Sequence, residues 1–347
     1  MSTLSTWGRE RRSAPDPRRA PLPFDVAARA ATRTSLAAVA AVLAVQLLVP
    51  GGWGQLAWVP LVIGLLIGLP HGAVDHLLPA HRLGWGLPRL GVFALAYAAL
   101  AAVGYVLFRA APGPALLVFV LLSAWHFGTG ETAFADLRAG RPVTRRAVPA
   151  AVLGGIVLLV PLVRGSTEAA AVIAAVVPGS DGVLPSAIQT VVLALVLPAA
   201  SLLTASLVLA GRRLEALEVL ALLALALFAP PFAAFGVYFG AWHSLRHLAR
   251  VVSEDPGNAG ELTAGQLGKP LRRFAVQAAL PTVAVLVAIG VLWSTTDGWL
   301  GFLATDIPLL AALTVPHALV VTWLDRASAV SRPALPRARG PIQPLGK

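Results

Sequence analysis

The chain is predicted to be an all-α membrane protein, a polytopic helical bundle of about ten transmembrane spans. Three observations predict it. Hydrophobic residues fill 57% of the 347 positions, charged residues only 12%, and mean hydropathy is +0.77; a soluble domain carries about twice that charged fraction. Apolar runs long enough to cross a bilayer recur from end to end. No polar segment between them is long enough to fold by itself, so one membrane domain is expected, over residues 34–325.

In chain order, residues 1–33 are rich in Arg and Pro and read as a disordered basic tail. The apolar run at 35–49 reads as an uncleaved first span, because a cleaved signal has a short basic region and the tail before this run is long. Spans are expected near 34–50, 55–78, 89–110, 113–129, 147–164, 187–210, 214–229, 232–252, 274–293 and 302–324. The split between the seventh and eighth rests on Pro230-Pro231, since adjacent prolines break a helix and suit a tight turn. Residues 165–185 form the only sizeable outer loop, with a short interfacial helix expected at 169–177, and 326–347 is a second basic tail.

Charge supports this topology. With the N-terminus inside, 25 of the 27 Lys and Arg fall on the inner side, leaving only Arg109 and Arg164 outside. A nine-span version that keeps residues 214–252 as one helix breaks that asymmetry. The expected location is therefore the inner (plasma) membrane, with both termini cytoplasmic. The net charge of +11 is explained by topology, so nucleic acid is not expected as a partner; the lipid bilayer is. The absence of cysteine excludes disulfides, thiolate ligands, iron–sulfur clusters and Cys-ligated haem.

The chemistry lies in the histidines. His243 and His247, four apart in Tyr-Phe-Gly-Ala-Trp-His-Ser-Leu-Arg-His, share one helix face a turn apart, where both can hold one metal ion. His71 and Asp75 repeat the spacing in Gly-Leu-Pro-His-Gly-Ala-Val-Asp-His, which ends at His76. His126 follows Ser-Ala-Trp, and His317 follows Thr-Val-Pro. On the ten-span topology six of the seven histidines reach a similar depth on the cytoplasmic side, with His81 left in a loop. Ionisable groups inside spans are costly and mark function, so a shared metal centre is expected. Asp75 is placed to orient a ligand from outside the coordination shell, and Glu131 reads as a loop carboxylate.

Imidazoles without thiolates suit iron, zinc, copper or nickel. The His-Glu-x-x-His pattern of a zinc protease is absent, because Ser244 follows His243. Seven scattered histidines fall short of the clustered boxes of membrane di-iron enzymes, and the spans lack the carboxylates of a transporter. An all-histidine mononuclear site in an apolar pocket fits oxygen chemistry on a lipid-soluble substrate, with neutral ligands keeping iron ferrous.

Taken together, these four motifs resemble the Brp/Blh family, the β-carotene 15,15′-dioxygenases, over roughly residues 35–325. The resemblance implies Fe(II)-dependent cleavage of the central double bond of β-carotene by O2 to two all-trans-retinal. It also implies a functional link to a microbial rhodopsin, with His71, His126, His243 and His247 as metal ligands and no catalytic residue beyond them. His317 matches a further family motif and is given a supporting or pocket role, as is His76. Trp125, Trp242, Phe127, Tyr238 and Phe239 lie close to proposed ligands and are candidates to line a polyene tunnel, where flat rings offer dispersion contact. The alternatives are a carotenoid oxygenase of different substrate or bond specificity, and a non-enzymatic carotenoid or retinal carrier with a structural metal.

Overall fold

A computed structural model describes residues 23–144, 146–164 and 166–330; the tails at 1–22 and 331–347 lie outside the described residues. Among the described residues there are helices and turns and no strand. The helices are α1 (Pro23–Leu48), α2 (Trp58–Ala73), α3 (Leu77–Leu83), α4 (Leu87–Ala110), α5 (Pro112–Arg138), α6 (Ala147–Val163), α7 (Thr167–Val176), α8 (Ser186–Leu209) and α9 (Arg213–Phe228). They continue with α10 (231–254), α11 (Ala259–Thr263), α12 (Gly268–Thr295) and α13 (Gly298–Val330).

Seven helical stretches are long and apolar enough to cross a membrane, or eight if the bent pair α6 and α7 forms one span. This is a membrane protein, but the expected ten spans are not reached among the described residues. Composition is the reason. Helix α9 has only 16 residues, short of the ~20 that cross the hydrocarbon core. Helix α10 carries His243, Arg246, His247, Arg250 and Glu254 and so loses the hydropathy of a span. The break between them stands where the two prolines put it: α9 ends at Phe228, Pro230 is extended, and Pro231 opens α10.

The first helix starts at Pro23, eleven residues before the expected span at 34. Its early turns present Ala27, Ala28 and Ala31 to Phe134 and Ala249. These small side chains let α1 pack closely on α5 and α10, so residues 23–33 belong to the bundle rather than to a tail. A short helix, α7, stands where one was expected at 169–177; it is capped at its start by Ser166, whose hydroxyl accepts from Ala169 N at 3.1 Å.

Two features position the centre of the bundle. The first is backbone contact between helices. A Cβ on Gly64 of α2 would stand 2.0 Å from Gly236 O of α10, and one on Gly240 would stand 2.5 Å from Gly64 O. Likewise a Cβ on Gly128 of α5 would meet Ala150 O at 1.8 Å, and one on Gly154 of α6 would meet Ala124 O at 1.9 Å. Glycine is required at each, as in close membrane helix packing.

The second is a buried ionic ladder. Arg246 on α10 donates to Glu131 of α5 and Glu218 of α9, each at 2.8 Å. Arg138 of α5 donates to Glu218 at 2.7 Å and to Thr32 of α1 at 2.9 Å. Two arginines and two glutamates balance, so four helices are joined with no net buried charge. Trp242 donates to Glu131 at 3.0 Å, while the Arg246 guanidinium lies 4.1 Å over the Trp242 ring. Glu131 is therefore no loop carboxylate. Helix α5 runs on to Arg138, beyond the expected end at 129, and carries it into the core.

Substituting Gly64→Ala is expected to abolish folded protein in detergent, whereas Gly91→Ala, at a position with open space, should leave the thermal midpoint unchanged or raise it. Glu131→Ala leaves Glu218 alone against both Arg138 and Arg246, burying one uncompensated positive charge, and should lower stability by ~3–5 kcal/mol, read by thermal unfolding of the purified protein.

Candidate metal centre

Each histidine is set by its local helix. His71 lies in the last turn of α2, one residue after Pro70, and the helix opens into a turn at residues 74–76. Its Nδ1 donates to Gly68 O, with the Ser244 hydroxyl 3.2 Å away. That bond fixes the tautomer and leaves Nε2 as the nitrogen with a free lone pair. His243 closes a π-helical stretch, Val237–Ser244, inside α10. The wider turn lets the Ser244 hydroxyl donate to Phe239 O at 2.6 Å and rotates the face that follows, as such bulges do at functional sites. His247 comes one turn later. His126 sits mid-α5, where Gly130 gives the His243 ring room: a Cβ there would stand 3.4 Å from it.

The rings converge. Centroids are 5.5 Å apart for His71–His243, 5.6 Å for His71–His247 and 5.1 Å for His126–His243. His317 joins them from α13, 5.0 Å from His71, 4.9 Å from His126 and 5.5 Å from His247. All five histidines are buried. Among the described residues, His71, His243 and His317 each offer a ligand nitrogen, and those atoms lie within 4.8 Å of one another. His76 and His81 stay apart, His76 half-buried at the start of α3 and His81 within it.

Asp75 orients His317, not the nearer His71. Its carboxylate oxygens accept from His317 Nδ1 at 3.0 and 2.9 Å, and Oδ2 also accepts from Tyr97 of α4 at 3.0 Å. Tyr97 escaped the sequence reading; its only signal is a hydroxyl in an apolar span, which Tyr105 shares.

A cavity of about 460 Å³ opens beside the cluster, bordered by His71, His126 and His317 and walled mainly by apolar side chains of α2, α4, α5, α10, α12 and α13. Of the aromatic candidates, Phe127 and Phe239 line it, and His76 reaches its edge. Tyr238 and Trp242 do not, because both turn to Glu131. Trp125 is 44% exposed on the outer face of α5, since a residue next to His126 points about 100° away from it. Phe93, Phe119 and Phe235, unmarked in the sequence, line the cavity instead.

The donor set fits a divalent metal. His126, His243, His247 and His317 each keep a buried Nε2 without a hydrogen-bond partner, and an orphaned buried polar atom costs roughly 1–3 kcal/mol. Several converging lone pairs with no proton donor among them are what a metal ion satisfies, and neutral imidazoles suit a first-row transition metal.

Comparison with known proteins agrees. The family profile described as Beta-carotene 15,15′-dioxygenase matches residues 62–325. A probable β-carotene 15,15′-dioxygenase Blh of Halobacterium salinarum is 36% identical over 296 residues, covering 79% of this chain and 86% of the relative. A β-carotene 15,15′-dioxygenase of an uncultured marine bacterium is 26% identical over 283 residues, 78% of this chain and 94% of its own. A probable Brp of Halobacterium salinarum is 28% identical over 339 residues, 86% and 92% of the two chains. No solved structure matches. With its histidine motifs inside the matched region and one relative above a third identical along most of its length, the chain belongs to the β-carotene 15,15′-dioxygenase family.

Proposed function

We propose that the protein cleaves the central 15,15′ double bond of β-carotene with O2, giving two molecules of all-trans-retinal. The observation that carries this is the buried histidine cluster at the wall of an apolar cavity inside a membrane bundle, in a chain whose relatives are named for that reaction. The residues put forward to hold the metal are His71, His126, His243 and His247, and the metal put forward is Fe(II). When bound, ferrous iron supplies the activation of dioxygen that a closed-shell polyene needs for both oxygen atoms to be transferred.

The remaining work falls to the chain itself. β-Carotene has no hydrogen-bonding group and resides in the bilayer, so its cavity must bind by area alone. The Phe93, Phe119, Phe127, Phe235 and Phe239 rings offer flat dispersion surface to a conjugated chain. Burial of the histidines keeps bulk water from the reacting bond. The position of the cluster along the cavity determines which double bond is presented. No side-chain nucleophile or proton relay is required, because the products form by insertion of O2 and scission of the C–C bond. Retinal made in the membrane suits supply to a microbial rhodopsin, and the distribution of basic residues supports an inner-membrane location with both termini cytoplasmic.

In a β-carotene-accumulating host the protein is expected to bleach the orange cells and yield retinal as the sole cleavage product. His243→Ala and His247→Ala should lose both bound iron and retinal formation, by more than the roughly 10–100-fold that loss of an outer-shell partner costs. Retinal production by a variant purified free of metal would overturn the metal role, and unbleached cells with intact pigment would point to a carrier. Reporter fusions at either terminus should be active only in their cytoplasm-reading form.

A further inference from the structure

We propose that His317, held in place by Asp75 and Tyr97, is a fifth protein ligand of the metal; this rests on the metal-centred reading above. His317 is the member of the cluster farthest away in sequence, yet its ring lies within 5.5 Å, centroid to centroid, of His71, His126 and His247. With His71 and His243 it makes the tightest set of ligand nitrogens among the described residues. Its Nδ1 is taken by both oxygens of Asp75, at 2.9 and 3.0 Å, which commits the proton to that side. Nε2 is then a buried lone pair with no hydrogen-bond partner, facing other imidazoles. A plain ion pair with Asp75 would instead bury an Nε2–H with no acceptor.

The arrangement of carboxylate, imidazole and metal raises the basicity of the ligand and fixes its orientation. Tyr97, 3.0 Å from Asp75 Oδ2, holds the carboxylate in turn. Five imidazole ligands would leave fewer positions open on the ion than four. Asp75, hydrogen-bonded to one of those rings, would supply a negative charge beside the ligand shell that favours the more oxidised metal and lowers its reduction potential. Asp75 and Tyr97 are positioning residues that act through His317.

The test uses the full-length protein purified in detergent, stripped of metal and loaded with Co(II), whose visible d–d bands report coordination number. Wild type should bind one Co(II). His317→Ala should still bind one, with changed band intensity and release to a chelator roughly 10–100-fold faster, and millimolar imidazole should restore the wild-type spectrum. Asp75→Asn keeps an acceptor for Nδ1, so it should keep the band pattern while shifting its position, and with iron it should raise the reduction potential. Wild-type spectra and release rates in His317→Ala overturn the fifth ligand and leave the function standing. If that variant does not fold, an unchanged spectrum and potential in Asp75→Asn overturn it equally. Failure of the wild type to take up Co(II) or Fe(II) at all removes the metal centre, and this ligand with it.

Discussion

Close backbone contact between α2 and α10 is the constraint on which the remaining geometry depends. Gly64 against Gly236 and Gly240 brings the helix bearing His71 onto the helix bearing His243 and His247 with no side chain between them. Imidazole is a short ligand, and two helices at an ordinary 8–10 Å separation would leave little freedom to correct a poor rotation. The π-helical stretch that contains His243 supplies that correction, turning the C-terminal half of α10 relative to its glycine-packed half. On the other side, Gly128 and Gly154 do the same for α5 and α6, and so seat His126.

Polar groups in this bundle are divided into two compartments. One holds neutral imidazoles beside an apolar cavity. The other holds Glu131, Glu218, Arg138 and Arg246 in a charge-balanced ladder. The two meet along α10, where Trp242 and Arg246 face the ladder and His243 and His247 face the cluster, as residues adjacent on a helix must. Charge is thus satisfied away from the centre. Metal ligation calls for neutral imidazoles, and Asp75 is the single carboxylate hydrogen-bonded to a cluster ring among the described residues.

The same division explains which aromatic residues meet the cavity. Trp242 and Tyr238 flank a histidine in sequence but serve Glu131. Phe93, on a helix with no histidine, and Phe119, two turns before His126, border the cavity. Proximity along the chain says where a ring sits in depth, not which way it points.

What the sequence by itself determined was the class of protein, the break at Pro230-Pro231, the family, and a common depth for six histidines, of which five are buried together and His76 stays apart. These follow from hydropathy, proline chemistry and motif spacing, all of which are local. Only the tertiary structure decided that α1 begins at Pro23, that α9 falls short of a span, that Glu131 is a core residue and that Asp75 reaches His317 rather than His71. Hydropathy records how deep a residue lies but carries no information about rotation around the helix axis. Asp75 and His317 are 242 positions apart, and that pairing depends on how α2 and α13 are turned toward each other, which no periodicity within either helix encodes.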